Sequence, residues 1–287
     1  MTKTPPNFTL IRDPNYTLIR FNEINDLFYY DEFENNPNGL GRQRGYNTSS
    51  TGRDSAQIMK YKKERCIISK DQQRIIDQAM KEISVDKDFL DLVHKAKSEK
   101  RRYETNKFCG NFSVVPYSRQ EDKIFKKGLP GAKKITLDMA FQIGTFQGGN
   151  YSKSFVSIIK TILMAQSLGI HLNIDVFDSD TRAVVGKNNN NSYVLCNVSK
   201  SSEKLNMRNL LTFSHPEFFH FSLFNGYNAA GRVNSIGSFL SEKTIIKDLS
   251  ERYDIIGGNM VSDTDVSSNN EAVNNGMIEK ILKISWK

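Results

Sequence analysis

Residues 135–177 read ITLDMAFQIGTFQGGNYSKSFVSIIKTILMAQSLGIHLNIDVF, and this stretch decides the fold. Ile135, Leu137, Met139, Phe141 and Ile143 alternate with Thr136, Asp138, Ala140 and Gln142. That alternation gives a strand one apolar face and one smaller, more polar face. FQGGN reads as a turn. After it, Phe155, Ile158, Ile159, Ile162 and Leu163 make an apolar stripe at helical spacing, which Gly169 stops. Ile170, Leu172, Ile174 and Val176 then alternate again. Strand, helix and strand with short connections predict a right-handed crossover between parallel strands.

Downstream, YVLCNV (193–198) reads as a third strand, and LNMRNLLTF as a helix ending before His215-Pro216. KTIIKDLSERY reads as a helix, DIIGG as a strand with a glycine turn, and SDTDVSSNNEAVNN as a loop. The last stretch, MIEKILKISWK, reads as a short helix or strand. Upstream, GLPGAKK (128–134) is a break. It predicts two parts: a helical, basic N-terminal region over 1–130 and an α/β domain over 131–287. Within the first, Phe21, Ile24, Leu27 and Phe28 suit a short amphipathic helix, and residues 35–54 are loop. From Ser55 to about Lys107 the pattern is helical, with Asp71 near one helix start and Ile75, Ile76, Met80 and Ile83 on one side.

The chain of 287 residues is 38% hydrophobic and 25% charged, enough for a globular core. No run approaches the roughly 18 apolar residues a membrane span needs, and the N-terminus has no apolar signal core. Cys66, Cys109 and Cys196 are odd in number and widely spaced, against a disulfide framework. A reducing cytosol is the expected compartment. The net charge of +8 is uneven: residues 1–135 hold 26 Lys+Arg and 18 Asp+Glu, and the rest hold 14 and 14. A basic surface of this kind favours polyanions. A solvated helix surface is the competing reading.

The strand LDMAFQIG, the glycine turn, the amphipathic helix ending in LG and the strand HLNIDVF resemble the opening of a von Willebrand factor A-like domain. With the N-terminal loop, the GLPG break and LLTFSHPEFFHFSLFNG, they resemble a family of uncharacterised bacteriophage proteins with a degenerate domain of that kind. The resemblance covers about residues 20–230, through loose motifs. It implies a Rossmann-like parallel sheet, a phage origin and a role in protein–protein contact, and it carries over no activity. The metal motif of such domains has Asp, Ser and Ser where this chain has Asp138, Ala140 and Gln142. That departure puts ion-dependent adhesion in doubt.

A hard divalent cation wants several oxygen ligands. Asp138, with Asp178 and Asp180 from FDSD, is the weak metal candidate; a hydrogen-bonded Asp138 inside the sheet is the alternative. His215 and His220 lack the HExxH spacing, and a helix start around Ser214 and Pro216 with Phe218 in the core explains them better. FQGGN, between strand and helix, is a weak anion site or simply a tight turn. The best functional feature is basic. Arg42, Arg44 and Arg53 lie among glycines around Tyr46. Lys60, Lys62 and Lys63 flank Tyr61, and Lys97, Lys100, Arg101 and Arg102 precede Tyr103. Such bases reach phosphates, and such tyrosines stack on nucleobases.

The expectation is a non-enzymatic interaction protein of the host cytoplasm. Its α/β domain docks a protein partner, phage-encoded in the fullest reading, at the sheet's carboxyl edge. The alternative is a nucleic-acid-binding accessory factor in phage replication or transcription. No catalytic residues, cofactor or membrane contact are expected, and no signal gives the oligomeric state.

Overall fold

The computed structural model describes residues 7–34, 55–65, 67–87, 90–91, 136–143, 151–167, 170–181, 191–203, 205–215 and 240–258, with isolated positions between 218 and 229. The chain begins with a hairpin of β1 (Phe8–Arg12) and β2 (Tyr16–Phe21). Asp13-Pro14-Asn15 makes its turn. The Asp13 carboxylate accepts the Asn15 amide at 2.9 Å, and the Asp13 amide donates to the Tyr16 carbonyl at 2.8 Å. The described helices that follow are α1 (Ile24–Glu34), α2 (Ser55–Glu64) and α3 (Lys70–Val85). Ser69 caps α3 in a capping box with Gln72.

The central unit is β3 (Thr136–Gln142), α4 (Tyr151–Ser167) and β4 (His171–Asp180), with β3 and β4 parallel as expected. Then come β5 (Asn191–Ser199), α5 (Met207–Thr212), α6 (Glu242–Leu249) and β6 (Ile255–Gly258). The strands form one sheet in the order β1-β2-β5-β4-β3-β6.

The sheet is mixed, which corrects the parallel-sheet expectation. β5 runs antiparallel to β4, and β1 antiparallel to β2; β2 with β5 and β3 with β6 are parallel. The reason for β5 lies in its connection. Ten residues separate Asp180 from Asn191, fewer than the dozen or more that a parallel crossover takes. A second correction concerns residues 1–130: their first described elements are strands, and β2 pairs with β5 in the same sheet as the rest.

The alternation read along β3 holds. Leu137, Met139, Phe141 and Ile143 bury in one core with Ile174, Val176, Val194 and Cys196, under Leu27, Tyr61, Ile75, Phe155, Ile159 and Leu210 from the helices. Ala140 buries on the other face with Leu18, Phe177, Tyr193 and Leu195, under Ile245 and Leu249 of α6. On α3 the buried stripe is Gln72, Ile75, Ala79 and Ile83. Met80, expected on that side, is exposed because it falls about 100° round the helix from Ala79. No described helix is long and apolar enough to cross a membrane.

Candidate functional site

The carboxyl ends of β3 and β4 lie side by side, with Gln142 paired to Phe177 and Phe141 to Val176. Ligands of open α/β sheets bind beyond such ends. Val176 belongs to the core under α4 and Phe177 to the opposite one. By strand alternation Asp178 therefore faces the first side and Ser179 the second. On the second side, the Gln142 Nε2 donates to Ser179 Oγ at 2.9 Å. Gly258 of β6 presses against the Gln142 backbone. Its φ is +100°, and a Cβ there would sit 2.3 Å from the Gln142 carbonyl oxygen. Only glycine allows β6 to reach this edge so closely.

On the first side, Tyr227 donates its hydroxyl to Asp178 Oδ2 at 3.0 Å. Burial pushes the Asp178 carboxyl from 3.8 up to about 7; the Tyr227 hydrogen bond opposes the rise and nearby Asp180 adds to it. Burial, and then the charges of Asp178 and Asp180, hold the Tyr227 hydroxyl well above its ordinary value. Asp178, Ser179, Asp180, Gln142 and Ser192 are all buried. Among the described residues, Asp178 Oδ1 and Gln142 Oε1 have no hydrogen-bond partner. Buried acceptors are nearly always paired, so these two stand out at adjoining strand ends, one on each face of the sheet.

Midway along β4 and toward the start of β3, the polar side chains are paired with one another. Asp175 accepts from Arg20 and from Asn197 Nδ2 at 2.8 Å. Tyr253 donates to the same carboxylate. Asn197 also donates to Asn173 Oδ1 at 3.0 Å, and Asn173 to Asp138 Oδ1 at 2.7 Å. The Asp138 amide donates to Asp254 Oδ2 at 2.9 Å. Asp138 is thus a hydrogen-bonded polar residue of the sheet.

The register also separates the metal candidates. Asp138 pairs with Asn173, and Asp178 lies five residues further along β4, about 16 Å at strand rise. Asp138 cannot share an ion with Asp178 or Asp180. Among the described residues no group of three His, Cys, Asp or Glu is placed to hold a metal.

Of the basic candidates, Lys60 and Lys63 are exposed on α2 and Lys62 is half-buried. Tyr61 is not a stacking residue. It is buried, shares a 2.6 Å hydrogen bond with Ser222 and meets the His215 ring edge-on at 5.1 Å. Arg42, Arg44, Tyr46, Arg53, Lys97, Lys100, Arg101, Arg102 and Tyr103 lie outside the described residues, as do FQGGN, His220, the GLPGAKK break and the C-terminal stretch. Phe218 is buried in the core as expected. Ser179 and Tyr227 were not legible as site residues: the FDSD run pointed to the strand end, but nothing in the spacing marked Tyr227. No family model, curated protein or solved structure matches this chain.

Proposed function

We propose that the chain is a non-enzymatic interaction protein whose α/β domain receives a protein partner at the carboxyl edge of β3 and β4. One observation carries the reading: Asp178 Oδ1 and Gln142 Oε1 are buried there without a donor among the described residues. Each such acceptor costs about 1–3 kcal/mol when left unpaired. In this reading a partner's N–H donors reach the two acceptors, one on each face of the sheet, as the edge opens on binding, and the cost is recovered there. The parallel β3–α4–β4 unit supports a Rossmann-like reading of the domain. A degenerate von Willebrand A-like identity, a phage-encoded partner and action in the host cytoplasm are parts of the same proposal.

The test is affinity purification of the tagged full chain beside Asp178→Asn and Gln142→Ala, with Lys200→Ala as a remote control. A partner held by the parent and the control but lost by both edge variants is the expected result. Recovery of the same proteins by all four chains, or of none by the parent, sinks the reading. A second reading, nucleic-acid contact, is favoured by the exposed Lys60 and Lys63 on α2. It requires binding that weakens steeply between roughly 50 and 200 mM salt.

A further inference from the structure

Large hydrophobic side chains left exposed on the described residues are Met59, Ile67, Ile68, Met80 and Val85. All fall between residues 59 and 85: Met59 lies midway along α2, and Ile67 and Ile68 are neighbours in the bend before α3. Met59 is 56% exposed, Ile67 63% and Ile68 38%. Scattered surface apolar residues need no explanation, but a cluster rimmed by charge marks an interaction site.

The cluster sits on a held framework. Tyr61 on α2 and Arg65 just after it point inward: Tyr61 bonds Ser222, and the Arg65 guanidinium lies 4.1 Å from the centre of the Phe28 ring. Met59, Lys60 and Lys63 therefore occupy the opposite side of the helix. The Ile67 amide donates to the Glu64 carbonyl at 2.7 Å, closing the turn that follows. On the far side of the bend, Ser69 caps α3, and Gln72 Nε2 donates to the Leu211 carbonyl at 2.6 Å. Both arms of the bend are tied to the core, and its two isoleucines still face water.

Charge selects the occupant. Of the cations in residues 59–70, Lys60, Lys63 and Lys70 are exposed, Lys62 is half-buried and Arg65 is buried against Phe28; the one anion is the half-buried Glu64. A second copy of this surface would repel the first. Nucleic acid would use the lysines but leave the isoleucines unexplained. The aromatic residue of this stretch, Tyr61, is buried and cannot stack on a base. We propose that Met59, Ile67 and Ile68, rimmed by Lys60, Lys63 and Lys70, dock an acidic amphipathic helix of a protein partner. Its apolar stripe covers the isoleucines and its carboxylates meet the lysines. This surface is separate from the carboxyl edge and stands without it.

The probe is a labelled synthetic helical peptide with leucines at i, i+3, i+4 and i+7 and glutamates elsewhere. Two controls accompany it: the same composition scrambled, and the same stripe with lysines for glutamates. Binding to the full-length protein is read by fluorescence anisotropy, beside duplex DNA, RNA and phosphatidylglycerol vesicles. The parent should bind the acidic striped peptide and neither control. Ile67→Ser/Ile68→Ser and Lys60→Glu/Lys63→Glu should each weaken it at least about tenfold, a difference of about 1.4 kcal/mol. These side chains are exposed, and unchanged thermal midpoints show that the variants are folded. Asp178→Asn should bind like the parent, which separates this surface from the carboxyl edge. The proposal is overturned if the parent ignores the striped peptide or if the isoleucine variant binds it unchanged. Preference for nucleic acid or vesicles over the peptide overturns it as well.

Discussion

Asp175 on β4 holds Arg20 on β2 through both carboxylate oxygens, Nε at 2.7 Å and Nη2 at 3.1 Å, across the intervening strand β5. The carboxylate is buried and Arg20 is 29% exposed. The pair ties the N-terminal hairpin to the middle of the sheet. Forked geometry of this kind is the strong form of an ion pair, because two parallel hydrogen bonds add direction to charge.

Arg20→Ala leaves the Asp175 carboxylate buried and, among the described residues, served by Asn197 and Tyr253. Breaking a fully buried pair costs about 3–5 kcal/mol. Partial exposure of Arg20 screens this one, so the expected loss is about 2 kcal/mol. Arg20→Lys keeps the charge and loses the fork, and should cost less. Urea denaturation reads both. A loss below about 0.5 kcal/mol for Arg20→Ala, the range of ordinary surface changes, would show that β5 alone holds the hairpin.

The hairpin that Arg20 anchors was the part of the fold least legible in the sequence. FTLIR and YTLIRF are short, and the acidic, aromatic run after them drew the reading toward a helix. A turn signal was nevertheless present in Asp13-Pro14-Asn15. The β3–α4–β4 unit was legible because its apolar period switches from two to helical spacing and back. Strand direction was not, because alternation is the same whichever way a strand runs; hence β5 was expected parallel and lies antiparallel. At the candidate site, Asp178 stood out as a carboxylate at a strand end. Its partner Tyr227 is 49 residues away, joined by folding rather than by spacing.

Gly258→Ala tests how tightly β6 closes on β3. The substitution meets two obstacles at once, a φ of +100° and backbone atoms of Gln142 at 2.3 and 2.6 Å from the new Cβ. Neither obstacle can move cheaply, because both are main chain. The expected destabilisation is about 2–4 kcal/mol, the range of strained backbone substitutions with steric overlap. A thermal midpoint equal to the parent's would mean that β6 shifts freely and that the edge at Gln142 is not rigid.

Ser69→Ala removes the oxygen that receives the Gln72 amide at 3.2 Å and opens the capping box of α3. A loss of about 1 kcal/mol is expected. Gln72→Ala should cost more, because it opens the box from its other side and also removes a buried side chain and its Nε2 bond to the Leu211 carbonyl, an oxygen that Ser214 also serves. Equal losses for the two variants in chemical denaturation would assign the whole effect to the helix start and none to the tie with α5.

The pH dependence of stability tests the carboxyl edge directly. Asp178 titrates at 3.8 when unfolded and at about 7 when folded, raised chiefly by burial. Between those values the folded state binds more protons than the unfolded state. Stability therefore falls as pH rises from about 4 to about 7 and levels off above that. The full loss from this one group is on the order of 4 kcal/mol. Asp178→Asn carries no such charge, so its stability should vary less across the window and exceed the parent's above pH 7. A variant that is more stable yet fails to hold the partner would mean that the carboxylate is kept for binding at a cost to the fold. Parallel stability curves for parent and variant from pH 4 to 8 would show instead that Asp178 binds its proton equally in the folded and unfolded chain, and that burial at this edge does not hold the carboxyl protonated.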